Sequence, residues 1–184
     1  MRTIRPDGKV IDFGYCSYGK IHTITTDRGT TSLWYDVAVN KTGLLTSIDT
    51  PDGQVLSFTY DGSLPLSTTW SGTVFGSVSQ TYTNDFTLAT QSVNGTGTVS
   101  YGYNTDGALS NIGALTLSRD SQNGILTGTT CGNVTDSVAL NTFGELSGYT
   151  VKYSGANVYN VSYTRDRLGR IASLTETVGG VTAR

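Results

Sequence analysis

YTRDRLGRI, residues 163–171, and YGYNTDGAL, residues 101–109, follow one nine-residue plan. An aromatic or aliphatic residue opens it, a second often follows at position three, and a turn residue stands at position four. Glycine then falls at position seven and leucine or isoleucine at position nine. The same plan runs through FGYCSYGKI (13–21), VAVNKTGLL (37–45), FTYDGSLPL (58–66), QTYTNDFTL (80–88), SRDSQNGIL (118–126) and VALNTFGEL (138–146). The closing aliphatic residues Ile21, Leu45, Leu66, Leu88, Leu109, Leu126, Leu146 and Ile171 recur roughly every 20 residues, a period typical of stacked-repeat architectures.

Positions one and three are two apart, so in a strand they share a face. Phe13 with Tyr15, Val37 with Val39, Phe58 with Tyr60, Tyr101 with Tyr103 and Val138 with Leu140 therefore form a packed stripe, and Tyr163 opens the last copy. Position four is Asn40, Asp61, Asn104, Asn141 or Asp166 in five copies, a short acceptor suited to the backbone N–H groups of a turn. Gly19, Gly43, Gly107, Gly124, Gly144 and Gly169 occupy position seven, where positive φ closes a type I turn followed by a bulge. The returning segment places a second aliphatic residue three positions after the first in Ile21/Ile24, Leu45/Ile48, Leu109/Ile112 and Ile171/Leu174. In a regular strand these fall on opposite faces, so either both faces are partly buried or a bulge lies between them. A helix suits the interval, but the intervening Thr, Ser and Asn and the flanking glycines disfavour it.

A second class of turn separates the copies. RPDGKVIDFGY (5–15) and TPDGQVLSFTY (50–60) are near duplicates carrying Pro-Asp-Gly, and Asn94-Gly95, Ser154-Gly155 and Gly179-Gly180 fill the same place elsewhere. Two turns per repeat predict an all-β meander of antiparallel hairpins with about 14 to 16 short strands. With no charged or proline-rich linker, residues 1–184 are expected to form one array of about eight repeats. Both ends fall inside a repeat, which predicts a segment of a longer protein with open strand edges and self-association through them.

Charged residues make up 14% of the chain and the net charge is −2, which argues against disorder and against a nucleic-acid surface. No apolar run is long enough for a membrane span, and MRTIRPDGK lacks the apolar core of a signal peptide. Cys16 and Cys131 lack metal-ligand spacing and read as two small apolar residues, with a single bridge between them left open.

Little in the chain points to a reaction. His22 is the only histidine, and no nucleophile elbow accompanies it. The carboxylate pairs Asp49/Asp52 and Asp61/Asp85 are read as turn acceptors rather than as an acid and base. The loops hold one carboxylate each, too few for calcium. The sequence thus predicts neither enzyme activity nor a cofactor nor a metal. Trp34, Tyr35, Trp70, Tyr82, Tyr101, Tyr103 and Tyr159 serve either sheet packing or an exposed recognition face, with packing favoured. The glycan-acceptor triplets at Asn40, Asn94, Asn133 and Asn160 are what chance supplies in a Thr-rich chain.

The plan aromatic-x-Tyr-Asp-x-x-Gly-Arg-Leu resembles the YD repeat of the RHS proteins, insecticidal toxin-complex components and teneurins. YTRDRLGRI keeps Tyr163, Asp166, Gly169, Arg170 and Ile171 and carries Arg165 in place of the second tyrosine. FTYDGSLPL keeps Phe58, Tyr60, Asp61 and Leu66 but has Leu64 where glycine belongs. The resemblance covers residues 5 to 180. It implies hairpins forming a curved, spiralling sheet, a shell that in bacterial members encloses a toxic C-terminal domain. The implied partners are the rest of the parent polypeptide and its cargo, and the implied location is secreted or on the bacterial surface. The repeat positions Tyr15, Gly19, Ile21, Gly43, Leu45, Tyr60, Asp61, Leu66, Tyr103, Gly107, Leu109, Gly144, Leu146, Tyr163, Asp166, Gly169 and Ile171 would then be structural. The family's self-cleavage Asp-Pro is absent, since Pro6, Pro51 and Pro65 follow Arg5, Thr50 and Leu64. Arg170 is the only arginine before a closing aliphatic, so weak charge pairing between rows is expected. The alternative function is an extracellular module that binds carbohydrate or a partner protein through exposed aromatics.

Overall fold

The structure is a computed structural model that describes residues 1–37 and 42–183. Its regular structure is antiparallel β, with 18 strands and no helix among the described residues. The chain divides into two compact units, Met1–Val99 and Ser100–Arg184. The first contains β1 (Arg2–Ile4), β2 (Val10–Tyr15), β3 (Ile21–Thr26), β4 (Gly29–Tyr35), β5 (Leu45–Asp49), β6 (Val55–Asp61), β7 (Leu64–Ser71), β8 (Gly76–Tyr82) and β9 (Leu88–Val93). β10 (Thr96–Tyr103) leads into the second, followed by β11 (Leu109–Ile112), β12 (Leu115–Arg119), β13 (Leu126–Cys131), β14 (Val134–Leu140), β15 (Leu146–Tyr153), β16 (Ala156–Arg165), β17 (Ile171–Val178) and β18 (Val181–Ala183). Within each unit every strand pairs with its sequence neighbour, the meander expected from the turns. Each copy of the plan is one hairpin, called a row: β2/β3 is row one, β4/β5 row two, and so on to β16/β17, row eight.

A bulge explains the three-residue interval. In row one Tyr15 pairs with Ile21 and Phe13 with Ile24, the register shifting between Gly14 and Tyr15 so that His22 is the extra residue. Phe13 and Tyr15 share a face, so their partners Ile21 and Ile24 are brought to that face as well. The same shift pairs Tyr35 with Leu45 and Leu33 with Ile48, Tyr103 with Leu109 and Tyr101 with Ile112, and Arg165 with Ile171 and Tyr163 with Leu174. Of the two explanations open at the sequence level, the bulge holds.

The turns are built from the residues expected to build them. Gly107 N donates to Asn104 O at 3.0 Å and Asn104 N to Ala108 O at 2.9 Å, while the Asn104 side chain accepts from Asp106 N and Ala108 N. Asn141 and Asp166 do the same in rows seven and eight. Row four lacks glycine, and Phe86 takes its place at φ 61°, 73% exposed. A bulky residue gains nothing from that strained conformation here, so Phe86→Gly is expected to stabilise the first unit by about 1 kcal/mol. A higher urea midpoint with an unchanged slope is the readout.

Three rows depart from the sequence reading. In row two β4 ends at Tyr35, so the stripe is Leu33 and Tyr35 rather than Val37 and Val39. Asp36 opens that loop by accepting from Gly43 N; Val39 and Asn40 lie outside the described residues. In row three the hairpin is shorter: Asp61 pairs with Leu64 and Tyr60 with Pro65, leaving Leu66 as the bulge residue, and Asp61 stands in β6 itself. In row six the turn opens at Asp120, one residue before the nine-residue plan places it, and Arg119 pairs with Leu126. Turn length varies here while the bulge persists, because the register on either side of the turn is set by the strands.

Direct cross-strand partners share a face, so each sheet face can be read from the pairing. In the first unit one face carries Phe13, Ile24, Leu33, Ile48, Leu56 and Trp70. The other carries hydroxyls that bond across strands: Thr25 with Thr30, Thr59 with Ser67, Ser79 with Ser92, and Thr81 with Thr90. Among the described residues the only buried hydrophobic side chain is Val161 in β16, at 4% exposure. Within each unit the stabilisation therefore runs along the sheet, through ladder bonds and cross-strand pairs worth roughly 0.2–1 kcal/mol each.

Candidate functional site

In five rows the residue that precedes the turn opener acts between rows. Tyr35 Oη donates to Ile21 O at 2.9 Å, Tyr60 Oη to Leu45 O at 2.9 Å, and Tyr82 Oη to Pro65 O at 2.8 Å. In each case the residue that precedes the turn opener of one row bonds the carbonyl near the start of the preceding row's returning strand. A rigid ring suits the span, because a phenol reaches across the neighbouring backbone with little rotamer entropy to lose. We call this bond a clip.

Where tyrosine is missing, arginine takes its place in two rows. Arg119 Nε donates to Leu109 O at 3.2 Å and its Nη1 to Gly124 O at 3.0 Å. Arg165 Nη2 donates to Leu146 O at 3.1 Å and Nη1 to Gly169 O at 3.1 Å. The guanidinium thus clips the preceding row and ties off its own turn, which one phenol oxygen cannot do. Arg165 Nε also lies 3.2 Å from Glu145 Oε2, a charge contact outside hydrogen-bond geometry. Glu145 in turn accepts from Asn141 Nδ2 at 2.7 Å. Charge pairing between rows runs through Arg165. Arg170 instead pairs with Asp166 of its own turn at 2.8 Å, and that hydrogen bond, ahead of the turn N–H groups, holds the Asp166 carboxyl below its ordinary range.

The repeat positions named from sequence fall into distinct structural places. Ile21, Leu45, Leu109 and Leu146 supply the carbonyls that receive clips. Gly19, Gly43, Gly107, Gly144 and Gly169 close turns at φ between 69° and 80°. Tyr60 is a clip donor, whereas the Tyr15 hydroxyl meets Met1 Sδ at 3.7 Å. Tyr103 pairs with Leu109, Tyr163 with Leu174, and Ile171 with Arg165. In row three Pro65, not Leu66, receives the clip. Sequence reading missed Tyr35 and Arg119 as donors. The signal was present, since each immediately precedes the true turn opener, Asp36 or Asp120, but the turn length hid it.

The groups considered for chemistry are engaged in the sheet. His22 Nδ1 bonds Leu33 O at 3.0 Å and its ring meets Trp34 edge-on at 4.9 Å. Trp34 stands on the hydroxyl face, half exposed, with Nε1 donating to Asp49 Oδ2 at 2.8 Å. Asp52 accepts from Thr50 Oγ1. Cys16 and Cys131 are free thiols. Among the described residues no three His, Cys, Asp or Glu side chains gather as a metal site, and no helix is long and apolar enough to cross a membrane. Grooves lie between successive turns. One, of about 730 Å³, is lined by Phe143, Glu145, Tyr163, Arg165 and Arg167 among others.

The geometry has counterparts in known proteins. A family model described as Teneurin YD-shell matches residues 1–183. A crystal structure of TcdB2-TccC3-TEV aligns at a TM-score of 0.53 and 13% identity, covering 97% of this chain and 12% of that one. A Photorhabdus luminescens Tc holotoxin pore aligns at 0.51 and 11% identity over 96% and 12%. TcdB2-TccC3-Cdc42 aligns at 0.50 and 10% identity over 92% and 14%. These likenesses concern the fold, and the chain spans about an eighth of the solved chains it matches. The comparison with curated proteins found no match.

Proposed function

Because the chain belongs to the teneurin YD-shell family, we propose that it is a non-catalytic wall, one length of a shell that encloses or carries a toxic C-terminal domain of its parent polypeptide. The observation that carries this reading is the clip. It bonds a row to the one before it at five boundaries, through the residue that precedes the turn, so the recurring work of the repeat is the fastening of neighbouring rows. Likeness in fold to much longer Tc toxin chains supports a segment of a larger assembly. On this reading both units are consecutive lengths of one array, and the named turn glycines, clip tyrosines and closing aliphatic residues are structural. The partners are the remaining rows and the cargo, with open strand edges meeting further strands. The place of action is outside the producing cell or at its surface.

Limited proteolysis of the parent polypeptide tests this. The C-terminal domain is expected to resist cleavage while the rows are intact and to become sensitive when Tyr35, Tyr60 and Tyr82 are together replaced by phenylalanine. Rapid cleavage of that domain beside intact rows would refute the enclosure.

A further inference from the structure

Two of the three row boundaries inside the second unit carry a clip, from Arg119 between rows five and six and from Arg165 between rows seven and eight. The middle boundary has Leu140 at the donor position, paired with Leu146 as its counterparts are. A hydrocarbon side chain donates nothing. A groove of about 350 Å³ lies there instead, lined by Ile125, Thr127, Val138 and Leu140 among others. The same boundary holds a different fastening. Asp136 in β14 accepts from Thr129 N at 2.7 Å and Thr129 Oγ1 at 2.8 Å in β13, and from Tyr149 Oη at 3.3 Å in β15. One carboxylate thus gathers three donors from the two strands flanking its own. The β13 and β14 backbones come so close that a Cβ at Gly128 would overlap the Asp136 carbonyl oxygen.

We propose that the boundary between rows six and seven is the seam along which the second unit opens, with Asp136 holding it in place of a clip. The seam rests on a side chain inside the β13–β14 ladder, whereas its neighbours are tied at the turn edge by a donor reaching across the row. When the Asp136 contacts part, no clip beyond them keeps the rows together. The seam is a property of this chain's own rows and does not depend on what the shell encloses.

Amide hydrogen exchange on the whole chain reads the seam directly. Amides of β13 and β14 are expected to exchange about tenfold faster than those of β15 and β16. Leu140→Tyr places a phenol in the groove within reach of Leu126 O and is expected to slow β13–β14 exchange about tenfold. Asp136→Asn is expected to speed it by a similar factor, and the double variant to return toward the parent rate. The inference is overturned if parent β13–β14 amides are as protected as those of β16, or if Leu140→Tyr, which keeps the Asp136 contacts, leaves the rates unchanged.

Discussion

Arg165→Ala is expected to destabilise the second unit by about 2–3 kcal/mol, whereas Arg165→Tyr loses less than half of that. Alanine removes the bonds to Leu146 O and Gly169 O together and leaves Glu145 without its cation. The loss is large because the guanidinium side chain is only 22% exposed, so water replaces its bonds poorly. Tyrosine restores the clip, as Tyr35, Tyr60 and Tyr82 show, but not the tie to its own turn. Urea denaturation of both variants provides the check, and equal losses for alanine and tyrosine would remove the clip from the account of stability.

Gly128→Ala is expected to cost about 2–3 kcal/mol, although φ at this glycine lies outside the left-handed region. Its added methyl meets the backbone carbonyl of Asp136 and lies 3.3 Å from Ser137 Cα, atoms that cannot swing aside without parting β13 from β14. Gly102→Ala is the control. There the methyl meets the side chain of Asn111, which can change rotamer, so a smaller loss is expected from the same substitution in the same unit. Thermal melts of the two variants should rank them in that order.

Much of this architecture was legible in the sequence. Asn104, Asn141 and Asp166 predicted turns because an acceptor so placed satisfies the N–H groups two and four residues on. The interval between Ile21 and Ile24 pointed to a bulge or to two-sided burial, and a choice between them required knowing which residues oppose each other. Rows two, three and six were displaced on paper because glycine and leucine mark the end of a turn but not its length. The turns that follow Tyr35, Asp61 and Arg119 differ in length and feed the same bulge. The clip was hidden for a related reason: tyrosine before a turn reads as a packing residue, and its hydroxyl partner belongs to the preceding row. Arg165 departs from the repeat in residue type but keeps its role, since Nη2 donates to Leu146 O.

The sequence by itself determined that this chain is a meander of repeated hairpins, because turn acceptors, turn glycines and alternating apolar residues act over only a few residues. Tertiary structure alone decided which residues fasten one row to the next and where that fastening changes character. The clips join residues 10 to 19 positions apart, and a local pattern does not carry the register that brings them together.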